Sequence, residues 1–372
     1  MSGLGLTFLR RGGQAHPTAG SDYIKFADEA VFNILMSKGV SSDGVGITKD
    51  DAAAVKSIGA WFRANTTIKS FDEFVYFTGV TSLGMSTTNT ANAPFYGCTS
   101  LESIWLPPNI TSLGYASFYG CSSLSSVKAN WQGINSIYAD CFKTCNLLVF
   151  KELDLRTLTL LQRDAFYGVS IESLLMPSLA TLPAAIANSM TWGVRADLEK
   201  VVLSNELTSI TSHIFFQYTA LKELSLNWDG LTSVLSQGLR DLKCVPPVLN
   251  MTQLTSLGES SFRGSNVEKV LSMGETITTI PGYAFMDCAS LQKVVIPASV
   301  TAILTMAFRN CTALQEVVVH AVTPPTLQYQ GFLGASSNFI IYVPDESIDA
   351  YMAAGTWSGF ASRIKGLSEY NG

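Results

Sequence analysis

A motif with an aromatic pair, a glycine and a cysteine recurs at a nearly fixed interval, and it limits the possible folds more than any other feature. Residues 95–107 read FYGCTSLESIWLP, and residues 118–130 read FYGCSSLSSVKAN. Its first position returns mostly every 23 or 24 residues, at Phe95, Phe118, Phe142, Phe166, Phe215, Leu239, Phe262, Phe285, Phe308 and Phe332. The long gap after Phe166 holds a degenerate unit around residues 182–190 and an insertion, TWGVRAD. An array of about ten such units predicts a solenoid, whose stacked neighbours bury one continuous core.

Each unit carries two further patterns that predict strands. Six residues after the phenylalanine comes a run such as LESIWL at 101–106 or LQEVVV at 314–319. Its last two apolar residues are two apart and share one face of a strand, so the residue between them points the other way. A shorter run, such as ITSL at 110–113, precedes the next phenylalanine. One coil therefore contains a strand, a turn, a second extended piece and an aromatic corner.

The combined pattern C-x-S-L-x-x-[IV]-x-[LI]-P-x-x-[VI]-T-x-I-x-x-x-A-F resembles the BspA-type, treponemal-class leucine-rich repeats of Bacteroides surface proteins. It is clearest in residues 283–319. Residues 341–370 are similar to the C-terminal cap of that family, and residues 21–59 look like the leading region of related proteins from Bacteroides and their phages. The resemblance implies an α+β solenoid coiling to the right, with short parallel strands, a helical N-terminal cap and a strand-helix C-terminal cap. It also implies a scaffold for binding and adhesion.

Both ends of the array predict caps, because an open solenoid end would expose strand edges and core side chains. Residues 22–60 read as helix, turn, helix, and Thr48 with Asp51 resembles a capping box. Residues 345–354 read as a short helix, and we expect Tyr351, Trp357 and Ile364 to close the core. We divide the chain into a flexible or partner-ordered arm (1–21), an N-terminal cap (22–60), the solenoid (61–340) and a C-terminal cap (341–372).

The cysteines and histidines point to no reaction. Five of the seven cysteines share one repeat position, which predicts a buried ladder of small apolar side chains: Cys98, Cys121, Cys145, Cys288 and Cys311. Side chains stacked in parallel rarely meet the dihedral angle of a disulfide. No C-x-x-C spacing with a nearby histidine suggests zinc, and none of the three histidines lies beside a motif. We predict no catalytic residue, no metal and no cofactor, and hence no enzyme.

Composition excludes two classes of partner. The net charge is −5 and the only cluster of basic residues is Arg10 with Arg11, which argues against nucleic acid. No stretch approaches the roughly 20 apolar residues that span a bilayer, so we predict no membrane insertion. The first residues place arginines after the apolar patch, the reverse of a secretory signal.

The outward strand positions form the predicted binding surface. The positions equivalent to Trp105, called the Trp105 row, are mostly apolar from Leu175 onward. The positions equivalent to Ser103, called the Ser103 row, are polar and mixed in sign. An apolar strip beside a charged one is typical of a protein-binding face, unless these residues merely suit strands or a loop covers them. The predicted surface comprises Trp105, Leu175, Val202, Leu249, Leu271, Val295, Val318, Lys200, Lys269 and Lys293.

Two functions fit this description. The leading hypothesis is a recognition or adhesion protein, extracellular or at the cell surface, that binds a protein or glycan of a host or bacterial surface through the strand face. The alternative is a structural or receptor-binding component of a phage virion, in a tail or head fibre. In that case we expect the arm at 1–21 to anchor the chain to other virion proteins.

Overall fold

Parallel strands from successive coils stack along one axis, as the repeat predicts. A computed structural model of the chain describes residues 22–84, 89–182 and 196–371. The predicted arm at 1–21 and most of the degenerate unit with its insertion, residues 183–195, lie outside the described residues. Every pairing between the strands named below is parallel, and the predicted solenoid of stacked coils is confirmed.

One side of the stack, here called the long-strand face, carries the run six residues after each phenylalanine. Residue pairs such as Ile104 with Val127 and Val294 with Val317 are aligned on neighbouring strands, and all four side chains are buried. The strands of this face are Ser70–Phe71, Ser103–Trp105, Ser126–Lys128, Val149–Asp154, Ser170–Met176, Lys200–Leu203, Glu223–Ser225, Val248–Met251, Lys269–Met273, Lys293–Ile296, Glu316–Val319, Ile340–Val343 and Ile364–Gly366.

A second side, the short-strand face, carries the shorter run of each coil. Its strands are two residues long, and the second residue is buried in nearly every one. They are Ser82–Leu83, Ser112–Leu113, Ser136–Ile137, Leu160–Leu161, Ser209–Ile210, Ser233–Val234, Ser256–Leu257, Thr279–Ile280, Ala302–Ile303 and Thr326–Leu327.

The repeated phenylalanines form a ladder inside the stack. The rings of Phe95 and Phe118 lie 5.2 Å apart between centroids and 5° from parallel, and those of Phe285 and Phe308 lie 5.4 Å and 1° apart. These centroid separations are slightly larger than the spacing of about 4.8 Å between strands. An offset between stacked rings reconciles the ring separation with the strand spacing. The ladder is the core that the repeat predicts.

The aromatic corner joins neighbouring coils through backbone hydrogen bonds. In the coil of Phe285, the amide nitrogens of Tyr283, Phe285 and Asp287 donate to carbonyl oxygens of the following coil at 3.1, 2.8 and 2.8 Å. Tyr283 and Asp287 adopt positive φ angles of 58° and 62°. This left-handed backbone on both sides of the phenylalanine turns alternate amides toward the next coil.

The cysteine ladder lies directly behind the corner. All five cysteines of the repeat position are free and buried, which confirms the predicted core ladder. Each thiol donates to the carbonyl oxygen of the phenylalanine one coil earlier; for Cys288 and Phe262 the sulfur to oxygen distance is 3.1 Å. The same carbonyl oxygen also accepts an amide of its own turn, from Ser265 in the case of Phe262, so the thiol adds a second hydrogen bond that joins one coil to the coil before it.

The helices lie mainly at the two ends. The N-terminal cap contains α-helices Glu29–Ser37 and Lys49–Ala54, the second with the predicted capping box of Thr48 and Asp51. The C-terminal cap contains the α-helix Ile348–Ala353, and Tyr351, Trp357 and Ile364 are buried as predicted. Single-turn or longer 3₁₀ helices are Asp72–Tyr76, Thr90–Asn92, Trp131–Gly133, Trp228–Gly230, Asp345–Ser347, Gly355–Arg363 and Leu367–Glu369. Within the described ranges, no helix is long and apolar enough to cross a membrane.

Candidate functional site

The long-strand face presents the two predicted rows side by side. Strand pairing aligns Trp105 with Lys128, and aligns Val202 with both Leu175 and Ser225, as the Trp105 row requires. In the Ser103 row, Lys200 is aligned with Glu223 and Lys269 with Lys293. The face is therefore a continuous surface over several coils.

Exposure along the Trp105 row is uneven. Trp105 and Leu271 are 43% and 40% exposed, whereas Leu175, Val202 and Val295 are half-buried. Leu271 lies at an irregularity of the pairing, where Leu249 is aligned with Val270 but the next pair is Asn250 with Ser272. The extra residue moves Leu271 out of the ladder and toward solvent.

The assignment of Leu249 to the outward row is wrong. Leu249 is 1% exposed because it is aligned with the inward Val270, and the outward residues of its strand are Val248 and Asn250. The strand starts one residue later than the repeat spacing predicts, directly after Pro246 and Pro247. The two prolines could have indicated this one-residue shift from the sequence alone, since proline lacks the amide that a strand residue donates.

The prediction that Val318 is exposed is also wrong. Val318 is 1% exposed, and it lies on the strand between those of Lys293 and Tyr342. The ring of Tyr370 covers this place: it lies 5.0 Å from the ring of Tyr342 and 4.8 Å from the Lys293 ammonium group. The end of the C-terminal cap therefore folds over the last strands of the face. The sequence analysis left open whether a loop covers the outward positions, and here the cap does so.

Only one of the three predicted lysines lacks an acidic partner. Lys200 forms an ion pair with Glu223 at 2.9 Å, and Lys293 forms one with Glu316 at 3.7 Å and is mostly covered. Among the described residues, Lys269 forms no ion pair with an acidic group. Lys269, next to the exposed Val248, is therefore the cation of this face that is available to a partner.

A cleft of about 380 Å³ opens at the N-terminal end of the face, where the cap meets the first coils. Its wall includes three aromatic side chains, Tyr23, Tyr76 and Trp105, with Asp72 and Lys128 at their edge. Sequence reasoning identified Trp105 alone, because Tyr23 belongs to the cap and reaches the cleft through its bridge with Thr48. We call this surface the aromatic cleft.

The charges in the aromatic cleft hold its side chains in place. The Lys128 ammonium group lies 5.4 Å from the Trp105 ring and 3.9 Å from a carboxylate oxygen of Asp72. The Ser103 hydroxyl donates to the other Asp72 oxygen at 3.1 Å. The Lys49 ammonium group lies 4.8 Å from the Tyr76 ring. Aromatic faces beside fixed charges and a hydroxyl suit a sugar ring or a peptide side chain, which needs stacking and directed polar contacts.

Reactive groups are not gathered at this surface. Within residues 22–84, 89–182 and 196–371, no three His, Cys, Asp or Glu side chains come close enough to hold a metal ion. Burial raises the pKa of the Cys288 thiol to about 11, so at neutral pH this group is a neutral thiol and a poor nucleophile.

Comparison with known proteins gives one family. The family model described as BspA type leucine rich repeat region matches residues 65–191 and 192–315, more than half of the chain. No curated protein matches the sequence.

Solved structures with similar architecture come from several bacteria. A leucine-rich repeat protein from Bacteroides ovatus is 16% identical, with a TM-score of 0.44 over 77% of this chain and 88% of that chain. A leucine rich cell surface protein from Faecalibacterium prausnitzii is 16% identical, with a TM-score of 0.37 over 70% of this chain and 81% of that chain. A leucine-rich repeat protein from Eubacterium ventriosum is 17% identical, with a TM-score of 0.35 over 69% of this chain and 89% of that chain.

Proposed function

Because the chain belongs to the BspA-type leucine-rich repeat family, we propose that it is a non-enzymatic recognition protein that binds a protein or glycan through the long-strand face. Trp105 carries this proposal. It is a large aromatic side chain, 43% exposed, placed where the outward strand row meets the aromatic cleft. Exposed tryptophan at a concave surface is the residue type that most often dominates binding energy.

The neighbouring exposed positions extend the same surface. Leu271 and Val248 are 40% and 45% exposed, and Lys269 lies beside them. An apolar patch with one available cation, separated by several coils from the aromatic cleft, suits a partner that is long enough to touch both places. Half-buried Leu175 and Val202, with the Lys200–Glu223 pair, lie on the strands between them.

We place this activity outside the bacterial cytoplasm, at a cell surface, because the repeats resemble those of Bacteroides surface proteins. The alternative role in a phage virion stays a prediction from the sequence. Its main support is the glycine-rich arm at residues 1–21, which lies outside the described residues. Mass spectrometry of purified virions tests that alternative directly.

The test of the proposed function is a binding screen followed by matched variants. The purified chain is screened on a glycan array and against extracellular-matrix proteins by surface plasmon resonance. For a partner found there, Trp105→Ala should weaken binding by about tenfold or more, since a central aromatic anchor contributes about 2 kcal/mol or more. Lys269→Glu should weaken binding of an acidic partner and change its salt dependence.

Leu147→Ala is the control, because Leu147 is 58% exposed and lies outside both the long-strand face and the aromatic cleft. It should leave the affinity unchanged. A partner whose affinity is the same for Trp105→Ala, Lys269→Glu and the control binds elsewhere, and such a result rejects the long-strand face as the binding surface.

A further inference from the structure

Backbone hydrogen bonds between the described corners all run in one direction along the solenoid. In the coil of Phe308, the amide nitrogens of Met306, Phe308 and Asn310 donate to the carbonyl oxygens of Tyr329, Gly331 and Leu333 at 3.2, 2.9 and 2.9 Å. The coil of Phe285 donates to the coil of Phe308 in the same way. Each corner thus gives its amides to the coil that follows and its carbonyl groups to the coil that precedes.

In the described part of the chain, the corner of Phe332 is followed by the C-terminal cap instead of another corner. Its corresponding amides, those of Gln330, Phe332 and Gly334, donate to no acceptor among the described residues. Gln330 and Gly334 keep the positive φ angles of the inner corners, 55° and 73°, so the three amides keep their direction toward the C-terminal end. Unpaired amides in a row are a template for another chain, as at the edge of a sheet.

A cleft of about 320 Å³ lies at this corner, between it and the C-terminal cap. The cap supplies Phe360 and Arg363 to its wall, and Leu333 at its rim is 48% exposed. The Arg363 guanidinium lies 5.0 Å from the Phe339 ring and forms no ion pair with any acidic group in the described part of the chain. No aspartate or glutamate lines the cleft. Arg363 is therefore the charged side chain of this lining, and its charge is positive.

We propose that this surface, the terminal corner, binds an extended acidic peptide segment of a partner protein. Inner corners use carbonyl groups at every second residue, and an extended strand presents alternate carbonyl groups on the same side. A ligand of this kind satisfies the three amides, while one of its carboxylates pairs with Arg363. The terminal corner and the aromatic cleft lie at opposite ends of the solenoid, so this activity is independent of the long-strand face.

The test uses the full chain and a fluorescein-labelled decapeptide of alternating glutamate and valine, blocked at both ends. Binding is measured by fluorescence anisotropy, and amide exchange by hydrogen–deuterium exchange. Without peptide, the amides of Gln330, Phe332 and Gly334 should exchange faster than those of Met306, Phe308 and Asn310, which already have acceptors. With saturating peptide, the first set should exchange about tenfold more slowly and the second set should not change.

Variants separate this site from non-specific attraction. Leu333→Asp places a like charge at the rim and Arg363→Ala removes the cation, so each should weaken peptide binding by about tenfold or more. Leu147→Asp adds the same charge at an exposed leucine of another coil and should bind like the unchanged chain. Circular dichroism verifies that each variant is folded.

Three results overturn the proposal: no binding of the glutamate peptide, equal binding of a lysine–valine peptide, or binding without slower exchange of the three amides. Light scattering tests the competing occupant. Self-association of the chain that Leu333→Asp abolishes identifies a second copy as the occupant of the terminal corner and overturns the peptide proposal.

Discussion

One position in each corner requires a left-handed backbone, and glycine is the residue that adopts it at least cost. The residue two positions after the phenylalanine has a positive φ angle in every described corner, and it is glycine in five of them: Gly97, Gly120, Gly168, Gly264 and Gly334. Elsewhere it is a residue such as Thr144 (φ 65°) or Asn310 (φ 60°). Left-handed backbone costs a residue with a Cβ atom about 1–2 kcal/mol, which the three hydrogen bonds of the corner offset.

Replacing Gly120 by alanine should lower the free energy of unfolding by about 1 kcal/mol. A Cβ atom there would meet nothing closer than 3.8 Å, so the cost comes from the φ angle of 75° alone, less the smaller entropy of the unfolded chain. Urea unfolding measures the change. Gly282→Ala is the matched control: Gly282 lies outside the left-handed region and its Cβ would be 3.4 Å from the nearest atom, so this variant should be neutral or slightly stabilised. Equal losses in both variants would contradict the role of the φ angle.

At this scale the sequence predicts burial well and alignment less well. Phe285, Cys288 and Phe308 are placed correctly because identical residues recur at a constant spacing, and a constant spacing needs no knowledge of other elements. Leu249 is misplaced because one inserted residue shifts a strand by one position, which exchanges its two faces. Val248, exposed on the correct face, is missed for the same reason.

The buried cysteine ladder should make the stability of the folded chain depend on pH in the alkaline range. Burial raises the pKa of Cys288 to about 11, and desolvation also raises the pKa of Cys311. Burial disfavours the charged thiolate and leaves the neutral thiol unaffected. The pKa is therefore higher in the folded than in the unfolded chain, and the folded chain holds the proton more tightly. The stability contributed by these thiols is complete below about pH 9 and is lost as the pH rises through the folded pKa.

Between pH 9 and 11, Cys288→Ala should therefore lose less stability than the unchanged chain. The difference should reach about 2 kcal/mol, since tyrosines and lysines titrate in both proteins and cancel in the comparison. Urea midpoints at pH 7, 9, 10 and 11 measure it. Parallel losses for the two proteins over that interval would show that the Cys288 thiol does not titrate on unfolding as its burial requires.

The sequence predicts that both caps exist and which local features they contain, but not which strands they cover. The capping box of Thr48 and Asp51 and the burial of Trp357 follow from local patterns, because each depends on a few neighbouring residues. Tyr370 over Val318 and Tyr23 in the aromatic cleft do not follow, because each is a contact between a cap and strands distant in the sequence. These contacts decide how much of the long-strand face is exposed, so the binding surface is the part of the molecule that sequence reasoning predicts least.

For the whole molecule, the C-terminal cap should prevent the last coil from associating with other copies of the chain. Tyr351 donates its hydroxyl to the Ala321 carbonyl at 2.7 Å, and the Trp357 indole donates to the Pro325 carbonyl at 2.6 Å, which holds the cap over the last coil. Deleting residues 341–372 would expose the edge of strand Glu316–Val319 and the Phe332 ring. We expect the shortened chain to form large soluble or insoluble assemblies in light scattering, whereas the full chain with Trp357→Phe should keep the size of the unchanged chain. A monomeric, folded deletion variant would show that the last coil needs no cap.

The common direction of the corner hydrogen bonds also decides how the chain should respond to mechanical force. The corner hydrogen bonds join each coil to the next along the stacking axis. When the two ends are pulled apart, these bonds therefore break one coil at a time and are not loaded all at once. Each coil that detaches would release roughly 80 Å of extended chain. At a surface exposed to flow, such a molecule would lengthen in small steps and absorb work while its remaining coils stayed assembled.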